Sequence, residues 1–403
     1  MPDRSPRILV IHRYYWPDTP PYASMLKEIV SHWVVNGFQV DVFSSQPSYK
    51  VAVKNEKVPK YEKLDGANVY RMNLPTEAGR PMVRLVNSVK LFFGVLIKVL
   101  FSRRYDVIMI STSPPVVAGL TGAIASKLKG SRFIYHCMDV HPEIGRLSGE
   151  FRQPLLFNLL QKIDSWSCRQ ANPVVVLSDD MRDAISSRPN VEGVRCKVIN
   201  NFSLPEESQN EVLPFEIQSN KFTLLFAGNI GRFQGLDVLI DAFGRIKERS
   251  DIELILMGEG AARNNLEKKA LELGANVRFV GHHAVAVAKK AMQQVSAGFI
   301  SLIPEVSKYA YPSKTMTYLE QGCPILAALD KNSSLSRDIV SNNVGVVVHE
   351  NDSITLAEAI CNLADNPKRI SEMKEQAALV GFNLFSPEVV LPAWNSLISK
   401  KNI

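Results

Sequence analysis

The sequence predicts an α/β protein of two doubly wound, Rossmann-like domains facing a cleft. Three observations carry that expectation. At 403 residues and 44.9 kDa the chain exceeds one ordinary core and suits two domains of about 200 residues each. Apolar β-rich runs alternate with helical patterns almost from end to end. The strand-like runs are short, continuous and rich in Val, Ile and Phe, as expected where helices cover both faces of a parallel sheet. An apolar fraction of 46% and a charged fraction of 22% are globular values and exclude disorder.

In the first half, polar Met1–Arg7 leads straight into RILVIH (Arg7–His12) without a small-residue cleavage site, so no signal peptide is expected. Further strands are expected at Gln39–Ser44, Ala67–Met72, Asp106–Ser111, Arg132–Cys137, Pro173–Ser178 and Lys197–Asn201. Helices are expected at Pro21–Asn36, Met82–Phe101, Pro115–Leu128, Pro154–Arg169 and Asp179–Ser187. Ser203–Gln218, polar and with two prolines, reads as the linker between a domain at 1–202 and one at 219–385. Strands follow at Phe222–Ala227, Ile252–Met257, Val277–Val280, Gly298–Ile303, Pro324–Ala328 and Gly345–Val348. Between them, helices are expected at Leu236–Glu248, Arg263–Leu273, Ala284–Gln294, Ser313–Gln321 and Leu335–Ser341.

Charge and cysteine usage narrow the function classes. Before residue 200 there are 27 basic and 17 acidic residues, and after it 20 and 23, so the halves carry +10 and −3. The basic half points to an anionic partner. A nucleic acid is not expected, because no aromatic-interleaved basic stripe or reading helix is present. Five scattered cysteines without CxxC or Cys/His spacing exclude a disulfide scaffold and fit a reducing cytosol. The Met82–Phe101 run is interrupted by Arg84, Lys90 and Lys98, which argues against a spanning helix. At 100° per residue, Arg84, Asn87, Ser88, Lys90, Gly94 and Lys98 share one arc, and Leu85, Val86, Val89, Phe92, Phe93, Leu96, Val99 and Leu100 fill the other. Two readings stand: a helix packed by its apolar face on its own core, or one lying on an anionic membrane surface on the inner face of the cell membrane.

In doubly wound sheets ligands sit beyond the carboxyl ends of the strands, so the residues just after each strand are the candidates. After Phe222–Ala227 comes GNIGRFQG, in which Gly228 and Gly231 permit close backbone approach, with Asn229 beside them and Arg232 as a cation. Gly258-Glu259-Gly260 and Gly281-His282-His283 are further turns of this kind. The fourth, PSKTMTYLEQGCP, starts a helix at Pro312-Ser313-Lys314, where Lys314 supplies a cation suited to a diphosphate. In the first half, YHCMDVHPE concentrates His136, Asp139, His141 and Glu143 after a buried strand. Asp139 and Glu143 are the candidate carboxylates of this segment, and His12, Arg13 and the Pro20–Ser24 stretch, with Pro21 and Ser24, follow the first strand. A His/Asp/His metal site is disfavoured because no further ligands are nearby.

In this order GNIGRFQGLDVLIDAF, GEG, VRFVGHH and PSKTMTYLEQGCPILA resemble the C-terminal domain of family-4 retaining glycosyltransferases of the GT-B fold, closest to the bacterial surface-polysaccharide branch. YYWPDTPPYAS, GFQVDVFS and YHCMDVHPE agree more loosely, and the resemblance covers nearly the whole chain. It implies transfer of a sugar with retention from a nucleotide-sugar donor, UDP- favoured and GDP- possible, without a metal or other cofactor. It also implies a terminal helix at 386–403 that returns to the N-terminal domain, an acceptor hydroxyl met by Asp139 or Glu143, and an acceptor side lined by His12, Arg13, Pro20–Ser24 (Pro21 and Ser24 in particular) and His136. Hexosyl or N-acetylhexosaminyl transfer to a polyprenyl-diphosphate-linked saccharide would explain the basic half and the amphipathic helix together. The two carboxylates many relatives carry are replaced by Tyr309 and Thr317, and Asn229 and Gln234 stand where the diphosphate-clamping Arg and Lys are usual. Thr317 would then meet the donor ribose, with Arg232 and Lys314 as the cations that stabilise the leaving group. A noncatalytic nucleotide-sugar-binding partner of a membrane synthase and a sugar-nucleotide epimerase remain as alternatives.

Overall fold

The computed structural model describes residues 5–18, 20–48, 58–77, 79–204, 212–231, 234–349 and 352–399. The chain divides into two compact units, Met1–Asn200 with Val390–Ile403, and Asn201–Val389.

The first unit opens with β1 (Arg7–Ile11), α1 (Pro21–Val35), β2 (Gln39–Ser45), β3 (Tyr61–Leu64) and β4 (Ala67–Met72). It continues with α2 (Pro81–Leu100), β5 (Val107–Ser111), α3 (Val117–Lys129), β6 (Arg132–Cys137) and α4 (Glu143–Leu147). Then come α5 (Pro154–Gln170), β7 (Val174–Val176), α6 (Asp179–Ser186) and β8 (Cys196–Val198). Eight strands lie in the order β3-β4-β2-β1-β5-β6-β7-β8, all parallel except β3. The chain winds outward through β2 from β1 and back through β5 on its other side, so the order reverses between β1 and β5. Every residue of β5 is buried, as a strand covered on both faces requires. Helix starts follow local chemistry: α1 has Pro21 in its first turn, and Ser178 Oγ accepts the Met181 amide at the start of α6.

The second unit holds β9 (Phe222–Ala227), α7 (Leu236–Arg245), β10 (Ile252–Met257), α8 (Arg263–Leu273), β11 (Val277–Gly281), α9 (Val285–Gln294) and β12 (Ala297–Ser301). After them come α10 (Lys314–Glu320), β13 (Ile325–Ala328), α11 (Ser334–Ser341), β14 (Gly345–Val348), α12 (Ser353–Ala364) and α13 (Pro367–Phe385). The six strands are parallel in the order β11-β10-β9-β12-β13-β14, with the reversal between β9 and β12. Core clusters fill both faces of this sheet, one around Phe226, Leu254 and Phe299, the other around Leu225, Ile255 and Tyr318. Leu213, Phe215 and Ile217, at alternate positions within the stretch expected as linker, pack on the second cluster. The final helix, α14 (Pro387–Ile398), crosses the boundary between units at Val390.

Helix α2 departs from the reading that packs its apolar arc on the core, since most of that arc faces outward. Its inward face is Asn87, Ser88, Leu91, Val95 and Val99, so part of the polar arc points into the protein. Asn87 Nδ2 donates to Pro75 O at 2.9 Å and to Glu77 Oε1 at 2.8 Å, which satisfies both N–H groups of the buried amide. Gly94 sits close to Met72 and Phe43, and the Lys98 ammonium lies 3.1 Å from the Tyr70 ring centroid. The outward face is apolar: Met82 is 70% exposed, Phe93 56%, Ile97 57% and Phe101 88%. Among the described residues only 367–398 forms a helical stretch long and apolar enough to cross a membrane. It breaks at Ser386 into α13 and α14, and Met373, Ala377 and Trp394 within it are buried.

Trp394 of α14 is 1% exposed, with its ring 6.2 Å from Trp33 and 4.7 Å from His136. Trp394→Ala is expected to cost about 3–5 kcal/mol, the range for emptying a large aromatic site. Urea unfolding checks this. A loss below about 1 kcal/mol, the scale of a surface substitution, would show that the last helix is not part of the core.

Candidate functional site

At the reversal in the second sheet, β9 and β10 pair in register through Ala227 and Met257, so their following loops leave the sheet level with each other. Gly228 N–H donates to Met257 O at 2.8 Å and Ile230 N–H to Glu259 O at 2.9 Å, which locks the loops together. A side chain on Gly258 would collide with the Gly228 carbonyl, and one on Gly260 with the Ile230 backbone. These two glycines serve loop-to-loop packing, not the ligand approach expected of Gly258.

Gly228 itself, at φ +141°, faces Lys314: a Cβ there would lie 2.6 Å from Lys314 Cε. Lys314 enters from the loop after β12, on the other side of the reversal. Its position is fixed one turn further along α10, where the Tyr318 hydroxyl donates to Leu225 O at 2.9 Å and accepts from Ala227 N–H at 3.1 Å. The Tyr318 ring in turn fills the space a Cβ on Gly298 would need. The Lys314 ammonium rests 3.6 Å from the Phe226 ring centroid, and among the described residues no carboxylate pairs with it. Burial therefore pulls its pKa down to about 7. Gly228 and Lys314 thus come together at one switch point, with half-buried Thr317 on the next turn of the helix.

Other donor-side candidates are placed differently. Arg232 lies outside the described residues. Gln234 Oε1 accepts the Gly231 amide at 3.0 Å and closes the loop, while Asn229 is exposed. Glu259 is ion-paired with Arg263 on α8, so its charge is already matched. Gly281, at φ +77°, makes the turn that ends β11, and His282 is exposed. Ser313 makes no capping bond, and the Thr315 amide is spent on Pro312 O, so the expected row of free amides is shortened.

At the reversal in the first sheet the loops after β1, β5 and β6 carry an aromatic and histidine cluster. His12 Nδ1 lies 2.6 Å from Tyr14 O and its ring 4.7 Å from Tyr22. The Tyr22 hydroxyl is 2.7 Å from His136 Nδ1. Burial raises the Tyr22 pKa, so the hydroxyl stays protonated. The other ring nitrogen, His136 Nε2, is buried without a protein partner. Burial holds His12 down to about 4 and His136 to about 3, so both rings are neutral at pH 7. Asp139, half-buried just beyond β6, has no hydrogen-bonded partner for its carboxylate among the described residues. Burial lifts its pKa to about 6. Ser24 is half-buried in the first turn of α1 and Pro21 is exposed. Val116, buried after β5, holds φ +61°, a strained value for a β-branched residue.

Two acceptor-side expectations are corrected here. Glu143 is bound by Arg188 at 2.5 and 2.8 Å and by Gln161 at 2.8 Å, in a buried network that continues to Asp164 and Tyr135. With both oxygens engaged it holds α4, α5 and α6 together and is not available to a substrate. Arg13 is buried against Ser45, with Ser48, Pro75 and Glu77 completing its bonds, so it ties loops and does not line an open site. Tyr22 falls within the Pro20–Ser24 stretch expected on the acceptor side, whereas Trp394, which completes the His136 cluster, was not singled out in the sequence.

Paired parallel sheets with polar side chains gathered at both switch points define a class. Over 97% of this chain and 98% of the other, the structure superposes on sucrose-phosphate synthase from Thermosynechococcus elongatus with a TM-score of 0.73 at 16% identity. It matches WaaG, a glycosyltransferase involved in lipopolysaccharide biosynthesis, with a TM-score of 0.68 at 15% identity, over 98% and 99% of the chains. HepE of Anabaena, solved with UDP and glucose, gives 0.67 at 17% identity over the same shares. The fold is that of the GT-B glycosyltransferases. Residues 22–201 match the glycosyl transferase 4-like domain and residues 221–366 the glycosyl transferases group 1 domain, so the chain is a GT-B glycosyltransferase. Among curated relatives it is 25% identical over 272 residues to the probable glycosyltransferase WbjE of Pseudomonas aeruginosa, covering 66% of this chain and 67% of that one. To WcaI of Escherichia coli K12, named for colanic acid biosynthesis, it is 24% identical over 290 residues, covering 68% and 71%.

The Asp139 environment gives a pH signature. Its folded pKa of about 6 lies above the ordinary 3.8, so the folded chain binds more protons between those values. Stability contributed at this position therefore falls as pH rises from 3.8 to about 6 and stays low above that. Asp139→Asn is expected to raise the urea midpoint more at pH 8 than at pH 4. An equal shift at both values would show that the carboxyl titrates normally.

Proposed function

We propose that the chain transfers a sugar, with retention, from a nucleotide-sugar donor to a lipid-linked saccharide acceptor in surface-polysaccharide assembly. The observation that carries this is the Lys314 ammonium set against the Gly228 turn at the switch point of the second sheet. A desolvated, unpaired cation beside exposed backbone suits a diphosphate, which would restore the charge balance the protein withholds. HepE was solved with UDP and with UDP-glucose, which supports a UDP-sugar here; a GDP-sugar fits the same diphosphate contact. WaaG and WcaI support the polysaccharide context.

The reaction breaks the bond between the sugar's anomeric carbon and the β-phosphate oxygen, and the electron pair leaves with the phosphate. The acceptor hydroxyl forms the new bond on the same face and yields its proton to the departing phosphate oxygen. No strong enzymic base is then required, only placement and charge stabilisation. Lys314 stabilises the developing phosphate charge, Thr317 offers a hydroxyl to the ribose, and Asp139 orients the acceptor hydroxyl. His136 Nε2, buried without a protein partner, is a further polar contact for the sugar. No step calls for a metal ion.

The lipid linkage rests on α2. Its outward apolar stripe, with six Lys or Arg and no acidic residue between 79 and 104, matches an anionic membrane surface on the cytoplasmic side. A polyprenyl-diphosphate anchor would be met at that surface.

UDP binding tests the donor assignment. Lys314 is half deprotonated at about pH 7 in the free protein, and a bound diphosphate favours its charged form. Affinity for UDP is therefore expected to fall as pH rises from 7 to 9, with uptake of a proton on binding at pH 8. Lys314→Ala should weaken UDP by roughly 10- to 100-fold, the worth of one charge-assisted contact. Calorimetric titration in buffers of different ionisation enthalpy reads both. Unchanged affinity in the folded variant would remove Lys314 from the donor site.

A further inference from the structure

A second polar site lies at the opposite end of the first sheet from the switch-point loops. A groove of about 700 Å³ opens beside the amino ends of β1, β2 and β4, lined by Arg7, Gln39, Asp41, Lys63, Asn68 and Arg103. Asp41 is its one lining carboxylate and is fully engaged. It accepts from Arg7 at 2.6 Å, from the Tyr105 hydroxyl at 2.8 Å and from Asn68 Nδ2 at 2.8 Å. The Arg7 guanidinium is held over the Tyr105 ring at 4.4 Å, and its backbone N–H donates to Asp106 Oδ2. Asp41 and Arg7 thus balance each other. Lys63 and Arg103 remain exposed on the rim, and among the described residues neither has an acidic partner. Lys98, on Tyr70, adds a third positive charge near enough to interact with Asp41 and Arg7.

The position of the groove matters as much as its charge. Arg103 follows directly from the end of α2, two residues beyond Phe101, the most exposed member of the outward stripe at 88%. An anion bound at Arg103 would therefore lie within two residues along the chain of the end of the apolar stripe. That combination matches one chemistry, a phosphate with hydrocarbon attached. Free phosphate would use the cations and leave Phe101, Leu100 and Ile97 without a role.

We propose that this groove binds the phosphate headgroup of an anionic phospholipid while the outward face of α2 lies among the acyl chains. The proposal rests on the membrane reading above and adds to it a defined headgroup site, separate from donor and acceptor chemistry.

The test is co-sedimentation of the full chain with phosphatidylcholine vesicles, with and without one-third phosphatidic acid. Four proteins are compared: wild type, Lys63→Ala/Arg103→Ala in the groove, Phe93→Ser/Phe101→Ser on the stripe, and Lys162→Ala/Arg169→Ala on α5. The last removes the same charge away from the groove, and unchanged UDP affinity confirms that each variant is folded. Wild type is expected to bind the acidic vesicles. The groove variant should bind them about tenfold or more weakly, and the α5 variant as wild type does. The stripe variant should lose binding to both vesicle types. Wild-type behaviour of the groove variant, with loss in the stripe variant, would overturn the headgroup site and leave the membrane reading standing. Equal losses in the groove and α5 variants would also overturn it, since diffuse charge would then explain binding. No vesicle binding by wild type would overturn both readings. Saturable binding of inorganic phosphate, lost in the groove variant but without preference for acidic vesicles, would assign the groove to free phosphate and overturn the lipid.

Discussion

The Tyr318 hydroxyl, bridging Leu225 O and Ala227 N–H, is the contact on which the donor-side arrangement depends. Those two backbone groups are at the end of β9, which β10 flanks through Ala227 while the pairing with β12 on the other side stops at Leu225. One side chain from α10 joins the helix to the strand end. Because Lys314 precedes Tyr318 by about one helical turn, the same contact sets the ammonium against Gly228 and Phe226. The absence of a side chain at Gly298 makes room for the tyrosine ring, and the absence of one at Gly228 makes room for the lysine. A cation held this way is costly to bury, which pulls its pKa down to about 7.

The first sheet solves the equivalent problem with neutral groups. Its switch point is packed with rings, and the buried imidazoles of His12 and His136 stay uncharged through desolvation. The polar groups left open there are His136 Nε2, buried without a protein partner, and the Asp139 carboxyl, whose pKa burial lifts to about 6. Glu143 lies only four residues from Asp139 and has the opposite fate, because Arg188 reaches it and not Asp139. Carboxylates so close in sequence are separated in role by one guanidinium.

Most strands were legible because a parallel sheet covered on both faces needs continuous apolar runs. β3 was not: Tyr61–Leu64 pairs with β4 through the Asp65-Gly66 turn, and its alternating exposure at the sheet edge leaves no such run. The helices α12 and α13 were missed after the last expected strand, although Asp352 caps the first by accepting from the Thr355 amide at 2.9 Å. For α2 the periodicity separated two arcs but could not say which faces inward. Asn87 turns in because Pro75 and Glu77, distant from its own helix pattern, offer acceptors. The same reason hid the roles of Arg13 and Glu143, whose partners come from residues 45–77 and 161–188. Lys314 was legible because its chemistry is local: a cation at a helix start, beyond a strand, opposite a glycine turn.

The central claim is that α10, anchored by Tyr318, holds an unpaired Lys314 in a desolvated position. The direct measurement is an NMR titration of lysine side-chain ¹³Cε resonances, with Lys314 assigned by its loss in Lys314→Arg. One resonance is expected to titrate near 7 in the wild type and to move toward the ordinary lysine range, about 10.4, in Tyr318→Phe. A wild-type Lys314 already titrating at the ordinary value, unmoved by Tyr318→Phe, would contradict it.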